Sequence, residues 1–167
     1  MFFRVGVKSA KSDKNGKTVQ NGTFFRNCIF SIFCTFFRIW HVFDNLIKVD
    51  ASKNKGKAIV SIFKAKKRKF PMKINMMEKH PLGSQAFIPM EDTKFLVFVA
   101  PKGDKPDVNK IQSFLVPKQT GVNYNAGIWH FPLISMKDMN FLIVDRKGKG
   151  NNLVIYKFKK DKIILKK

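Results

Sequence analysis

From Phe43 onward, short apolar runs alternate with breaks rich in Lys, Gly, Pro and Asn, and that rhythm predicts an all-β domain. Ala58 to Phe63 is enriched in β-branched residues and follows a Lys-Asn-Lys-Gly turn at Lys53 to Gly56, so it reads as a strand. Ile74 to Glu78 starts a polar block that reads as a strand from Met76. Pro81, Leu82 and Gly83 break it, and Ser84 to Pro89 resumes an apolar-rich β run. Lys94 to Ala100 is almost continuously apolar, as expected of a strand covered on both faces. Met139 to Asp145 and Leu153 to Phe158 flank a glycine-rich turn at Lys147 to Asn151, which predicts a hairpin. Asp107 to Leu115 reads as a short helix capped by Asp107, with Val108, Ile111 and Leu115 on one stripe.

Strand alternation places Glu78 and His80 on one face, because side chains two apart point the same way. Gln85 lies just past the break. A carboxylate, an imidazole and an amide thus converge on one side of a β layer, which is either a binding site or a polar intrusion into a core. A lone histidine on an apolar face is more often structural. This chain has three, His41, His80 and His130, and His130 sits in a second compact block, Gly121 to Leu133.

The N-terminal portion is different in character. Ser9 to Gly22 is a Ser-, Asn-, Gly- and Lys-rich loop or frayed terminus, with Met1 to Val7 as a short edge strand. Phe24 to Phe43 is aromatic and apolar. Its uncharged interval, Asn27 to Phe37, is 11 residues, below the roughly 20 that a membrane helix needs. Residues 1–42 are read as an N-terminal segment of different character, 43–160 as the domain, and 161–167 as a basic tail. Cys28 and Cys34 form neither a zinc motif nor a disulfide framework.

The 167 residues fit one domain, and 44% apolar content is that of a globular chain. The 33 basic and 11 acidic residues give a net charge of +22, enough to attract polyanions without any specific fold. The lysines cluster at element edges, with no aromatic-interleaved RNA motif, zinc-finger spacing or recognition helix beside them. Neither specific nucleic-acid binding nor membrane binding is expected, and the field would speed the encounter with a small anionic substrate.

Gly127 three residues before His130 resembles the Gly-x-x-His of the second cupin β-barrel motif, and Glu78, His80 and Gln85 have the spacing of the first. More specifically, His-Pro-Leu-Gly-Ser-Gln-Ala-Phe-Ile-Pro from His80, Gly-Val-Asn-Tyr from Gly121, the following Trp129-His130, and the strands Phe95 to Pro101 and Phe141 to Arg146 closely resemble ureidoglycolate lyases. The likeness runs in order from Phe43 to Phe158 and fails before Phe43. It implies a cupin-like double-stranded β-helix barrel with minor short helices. It also implies a homodimer that splits ureidoglycolate into glyoxylate and urea in allantoin breakdown, with nickel as the divalent ion to expect, and the two cysteines are compatible with a cytoplasmic location.

On that resemblance Glu78, His80 and His130 are the catalytic candidates, and Glu78, His80, Gln85 and His130 stand where metal ligands would sit. Gln85, Asn123, Tyr124, Trp129 and Arg146 are the substrate-binding candidates, with Asn123 and Tyr124 facing one cavity, Trp129 as its wall and Arg146 as a carboxylate clamp. Two places depart from the family pattern. Asn125 and Phe131 stand where many members have histidine, which leaves a non-catalytic cupin-like protein binding a small carboxylate or ureido metabolite as the alternative.

Overall fold

Residues 46–158 are described throughout by the computed structural model, together with the backbone of four short flanking strands. Cys28, Cys34, His41 and most of the aromatic run lie outside the described residues. With strands numbered along the chain, one sheet has the order β3 (Thr23–Arg26), β10 (Thr120–Tyr124), β7 (Gln85–Pro89), β13 (Met139–Lys147) and β4 (Lys57–Ala65). The facing sheet runs β14 (Val154–Lys157), β6 (Met76–Lys79), β11 (Trp129–His130), β8 (Phe95–Ala100), β9 (Gln112–Val116) and β2 (Val7–Ser9), with β12 (Ile134–Ser135) added beside β8. A small third sheet joins β1 (Phe2–Arg4), β15 (Lys162–Leu165) and β5 (Met72–Ile74). The pairings are antiparallel apart from β1 with β15 and β2 with β9. The chain is all-β, with two sheets packed as a cupin-like barrel that stays open at its edges.

Two cores explain the strand patterns. Between the two large sheets lie Phe87, Phe95, Val97, Val99, Val122, Tyr124 and Phe141. On the other face of the second sheet lie Ile74, Met77, Leu96, Phe98, Ala100, Trp129 and Ile134. Strand β8 feeds both, its odd-numbered residues inward and its even-numbered ones outward. That is why Phe95 to Ala100 reads as an unbroken apolar run, and all six of its residues are buried. Each large side chain taken from water here contributes about 1.5–3 kcal/mol.

Two sequence expectations are corrected. Residues 107–115 do not form a helix: a single 3₁₀ turn at Val108–Lys110 gives way to strand β9. Asp107 does cap the turn, accepting from the Asn109 N–H at 3.0 Å. Beyond it the Gln-Ser-Phe-Leu-Val segment alternates with period two and pairs with β8, so the apparent helical stripe of Ile111 and Leu115 came from two residues on either side of a strand entry. The glycine-rich turn at 147–151 does not close a hairpin either. Strand β13 pairs with β4 and β7, whereas β14 crosses to the other sheet and pairs with β6. The backbone of Lys162–Leu165, within the stretch read as a basic tail, runs as a strand against β5.

Candidate functional site

Strands β6 and β11 pair antiparallel with Glu78 opposite His130. In the facing sheet β7 and β10 pair with Gln85 opposite Tyr124. All four side chains point between the sheets and line a cavity of about 110 Å³, closed further by Phe63, Phe87, Pro132, Leu133 and Ile143. The second motif is set in place by a β-turn, in which the Ile128 N–H donates to the Asn125 carbonyl at 3.1 Å. Gly127 within it has φ +82°, a region that strongly favours glycine. The Gly127 N–H donates to the His80 carbonyl at 2.8 Å and so ties the two motifs together.

The histidines carry their protons in a fixed way. His80 Nδ1 lies 2.7 Å from the Asn152 carbonyl, and His130 Nδ1 lies 3.0 Å from the Ile128 carbonyl. A carbonyl oxygen only accepts, so each ring holds a proton on Nδ1 and turns Nε2 to the other side. Both Nε2 atoms are buried without a hydrogen-bond partner. The rings are 5.2 Å apart, and His130 stacks on Tyr124 at 4.2 Å. Ligand atoms of Glu78, His80 and His130 all lie within 4.8 Å of one another. Two unpartnered imidazole Nε2 atoms and a carboxylate form a donor set that fits a borderline divalent ion, and the backbone carbonyls behind the rings are the usual orienting partners of metal-binding histidines.

Burial controls the protonation states. Desolvation pushes the Glu78 carboxyl up from its ordinary value, with His80 pulling it partly back. Desolvation, reinforced by His80, pushes His130 down to about 3 against the favourable hydrogen bond to Ile128. His130 Nε2 lies 3.7 Å from Glu78 Oε1, but an imidazole titrating that low is neutral at pH 7, so the contact is not an ion pair. Burial, then the nearby Glu78, raises the Tyr124 phenol, which stays a protonated donor. Its hydroxyl is also without a partner.

Other expected site residues are placed elsewhere. Asn123 does not share the cavity with Tyr124: adjacent strand residues face opposite sides, and its amide donates to the Lys48 carbonyl at 3.4 Å. Trp129 is not a cavity wall. It is fully buried in the outer core, its indole N–H donates to the Gly103 carbonyl at 3.0 Å, and Lys79 Nζ lies 4.5 Å over its ring. Arg146 is not a cavity clamp. It is 5% exposed and donates to the carbonyls of Lys53 (3.1 and 2.6 Å) and Lys149 (2.9 Å). A Cβ at Gly56, Gly83 or Gly148 would press on its side chain, so three glycines make its cage. Phe131 packs in the outer core with its side chain turned away from His130, and Asn125 contributes a turn carbonyl.

Two residues were not singled out by sequence. Asp145 accepts from the Gln85 amide nitrogen at 3.1 Å and from the Arg146 N–H at 2.6 Å. Asn152 accepts from His80 Nδ1 through its backbone and from the Leu82 N–H through its side chain at 2.8 Å. Period-two alternation along β13 puts Asp145 on the face of Ile143, a signal that was available. Nothing local in the sequence marks Asn152, which is 72 residues from His80.

The family model for ureidoglycolate lyase matches residues 40–165. The chain belongs to the ureidoglycolate lyase family. A ureidoglycolate lyase of Pseudomonas paraeruginosa is 44% identical over 124 residues, covering 74% of this chain and 73% of the relative. That of Pseudomonas fluorescens strain Pf0-1 is 42% identical with 74% of each chain covered. That of Burkholderia mallei strain NCTC 10229 is 44% identical over 112 residues, 66% of this chain and 65% of the relative. The family match spans both polar blocks and every residue lining the cavity.

Proposed function

We propose that this protein is a ureidoglycolate lyase that releases glyoxylate and urea, recycling nitrogen in allantoin breakdown. The observation that carries the reading is the convergence of Glu78, His80 and His130 within 4.8 Å, with Glu78 and His130 lining a cavity shared with Gln85 and Tyr124. The relatives named above support it.

The substrate carbon bears a hydroxyl, a carboxylate and the ureido nitrogen. The hydroxyl gives up its proton, its oxygen becomes the glyoxylate carbonyl, and the carbon–nitrogen bond breaks. The nitrogen then takes a proton to leave as urea, so no oxidant or water is consumed. Glu78 is the carboxylate that lines the cavity among the described residues, and it takes the hydroxyl proton. Tyr124, a protonated donor, faces the same space. Glu78, His80 and His130 would hold a divalent ion, nickel by family resemblance, and such an ion would act as a Lewis acid on the hydroxyl and carboxylate oxygens.

The protein acts as a cytoplasmic homodimer in this reading. Val60 and Ile62 stand 64% and 52% exposed on edge strand β4, an apolar strip suited to burial against a like surface. No helix among the described residues is long and apolar enough to cross a membrane.

The test is product analysis of ureidoglycolate turnover. Equimolar glyoxylate and urea support the lyase. Ammonia in place of urea would make the enzyme a hydrolase, and saturable binding with no product would make it a binding protein.

A further inference from the structure

We propose that Gln85 and Tyr124 form the ureido-recognising end of the cavity, and that Asp145 positions Gln85 by fixing which end of its amide faces the substrate. The inference deepens the lyase reading and rests on it.

An amide side chain is ambiguous by shape, since its oxygen and nitrogen ends nearly superimpose. What it contacts decides its polarity. Asp145 Oδ2 lies 3.1 Å from Gln85 Nε2, and an ionised carboxylate can only accept. The amide nitrogen therefore turns to Asp145, and Oε1 turns away from it. That oxygen is shielded from solvent and has no hydrogen-bond partner. Gln85 is 9% exposed and lines the cavity. Its register partner across the strands is Tyr124, whose hydroxyl is buried and unpartnered too. Two unsatisfied groups, one accepting and one donating, thus sit side by side on the sheet opposite the Glu78–His130 pair.

Leaving both unsatisfied in a buried place is unfavourable, so they are a recognition device that a ligand completes. A ureido group supplies both complements: N–H donors for Gln85 Oε1 and a carbonyl acceptor for the Tyr124 hydroxyl. Glycolate has the hydroxyl and carboxylate but nothing for this end. Asp145 is itself fixed, its other oxygen accepting from the Arg146 backbone N–H at 2.6 Å, and Arg146 is immobilised by three carbonyl hydrogen bonds. The chain of contacts runs from a caged arginine, through its backbone, to an aspartate and then to the amide.

The experiment uses two substrate fragments as calorimetric probes of the metal-loaded protein. N-carbamoylglycine carries the ureido group and carboxylate without the hydroxyl, and glycolate carries the hydroxyl and carboxylate without the ureido group. Asp145→Asn removes the constraint and lets the amide turn, and Gln85→Leu removes the acceptor. Both should weaken N-carbamoylglycine by about tenfold or more, with glycolate affinity and bound metal unchanged. The double substitution Gln85→Glu with Asp145→Asn returns an acceptor oxygen to the cavity and should recover most of the loss. Equal weakening of both fragments, or metal loss from either single variant, would make Gln85 a metal ligand or a purely structural residue and overturn the proposal. So would no weakening at all in folded protein. Product release by the wild type is measured alongside, so that failure of the lyase reading is seen separately from failure of this one.

Discussion

His130 and Glu78 face each other across the β6–β11 pair, with His130 Nε2 3.7 Å from Glu78 Oε1. Neither hydrogen-bonds the other, and both belong to the cavity. A carboxylate left desolvated beside a neutral imidazole destabilises the empty site and serves whatever binds there. Glu78→Gln should lower kcat by about 10²–10⁴-fold, while the melting temperature of the metal-free protein holds or rises. A variant that loses activity only by unfolding would contradict this.

The metal-free protein should be acid-labile through His130. Its ordinary value is 6.5 and its folded value about 3, so below pH 6.5 the unfolded chain binds the additional proton. The stability that neutral His130 contributes is complete above that pH and is lost as pH falls towards 3. Glu78 works the other way: its raised folded value favours the native state as the carboxyl protonates. Melting temperatures between pH 7.5 and 5 should fall for the wild type and fall less for His130→Gln. Identical slopes would show that His130 is not the group responsible.

Arg146→Lys should act on stability. The guanidinium makes hydrogen bonds to two backbone carbonyls inside a glycine cage, and a lysine cannot reproduce the fork. A loss of about 1–3 kcal/mol is expected, with KM for the folded enzyme little changed because the backbone N–H that holds Asp145 is kept. A tenfold rise in KM at unchanged stability would instead restore the carboxylate-clamp role.

Gly127→Ala separates conformation from space. The nearest atoms to an added Cβ belong to Lys102, at 3.7 Å, so there is room. The cost is the positive φ, about 1 kcal/mol, and a disturbed link from the Gly127 N–H to the His80 carbonyl. Kinetic measurements should show a larger loss in kcat than the stability change explains. An unaltered kcat would mean the turn does not set the histidine geometry.

The fold class and the two polar blocks were legible because local pattern carries them: alternation, Gly/Pro breaks, and Gly127 before His130. The sheet that each strand joins was not. Val154–Lys157 reads as the return arm of a hairpin, yet its partner is β6, and nothing between residues 147 and 157 encodes that choice. Periodicity also settles which way Asn123, Trp129 and Arg146 face relative to their neighbours, once the register is known. Adjacent polar residues on one strand cannot share a cavity, so Asn123 and Tyr124 were separable in principle. Alternation along β13 marked the face of Asp145 but not its partner Gln85, 60 residues away, and Asn152 acts across 72 residues with no local signal at all.

The most direct test follows glyoxylate release from ureidoglycolate by chelated protein, before and after a divalent ion is restored, in wild type and His130→Ala. Release by the wild type that rises on restoring the ion, and falls by about 10²-fold or more in the variant, is the predicted result. A folded wild-type protein that releases no glyoxylate with any divalent ion would contradict the account.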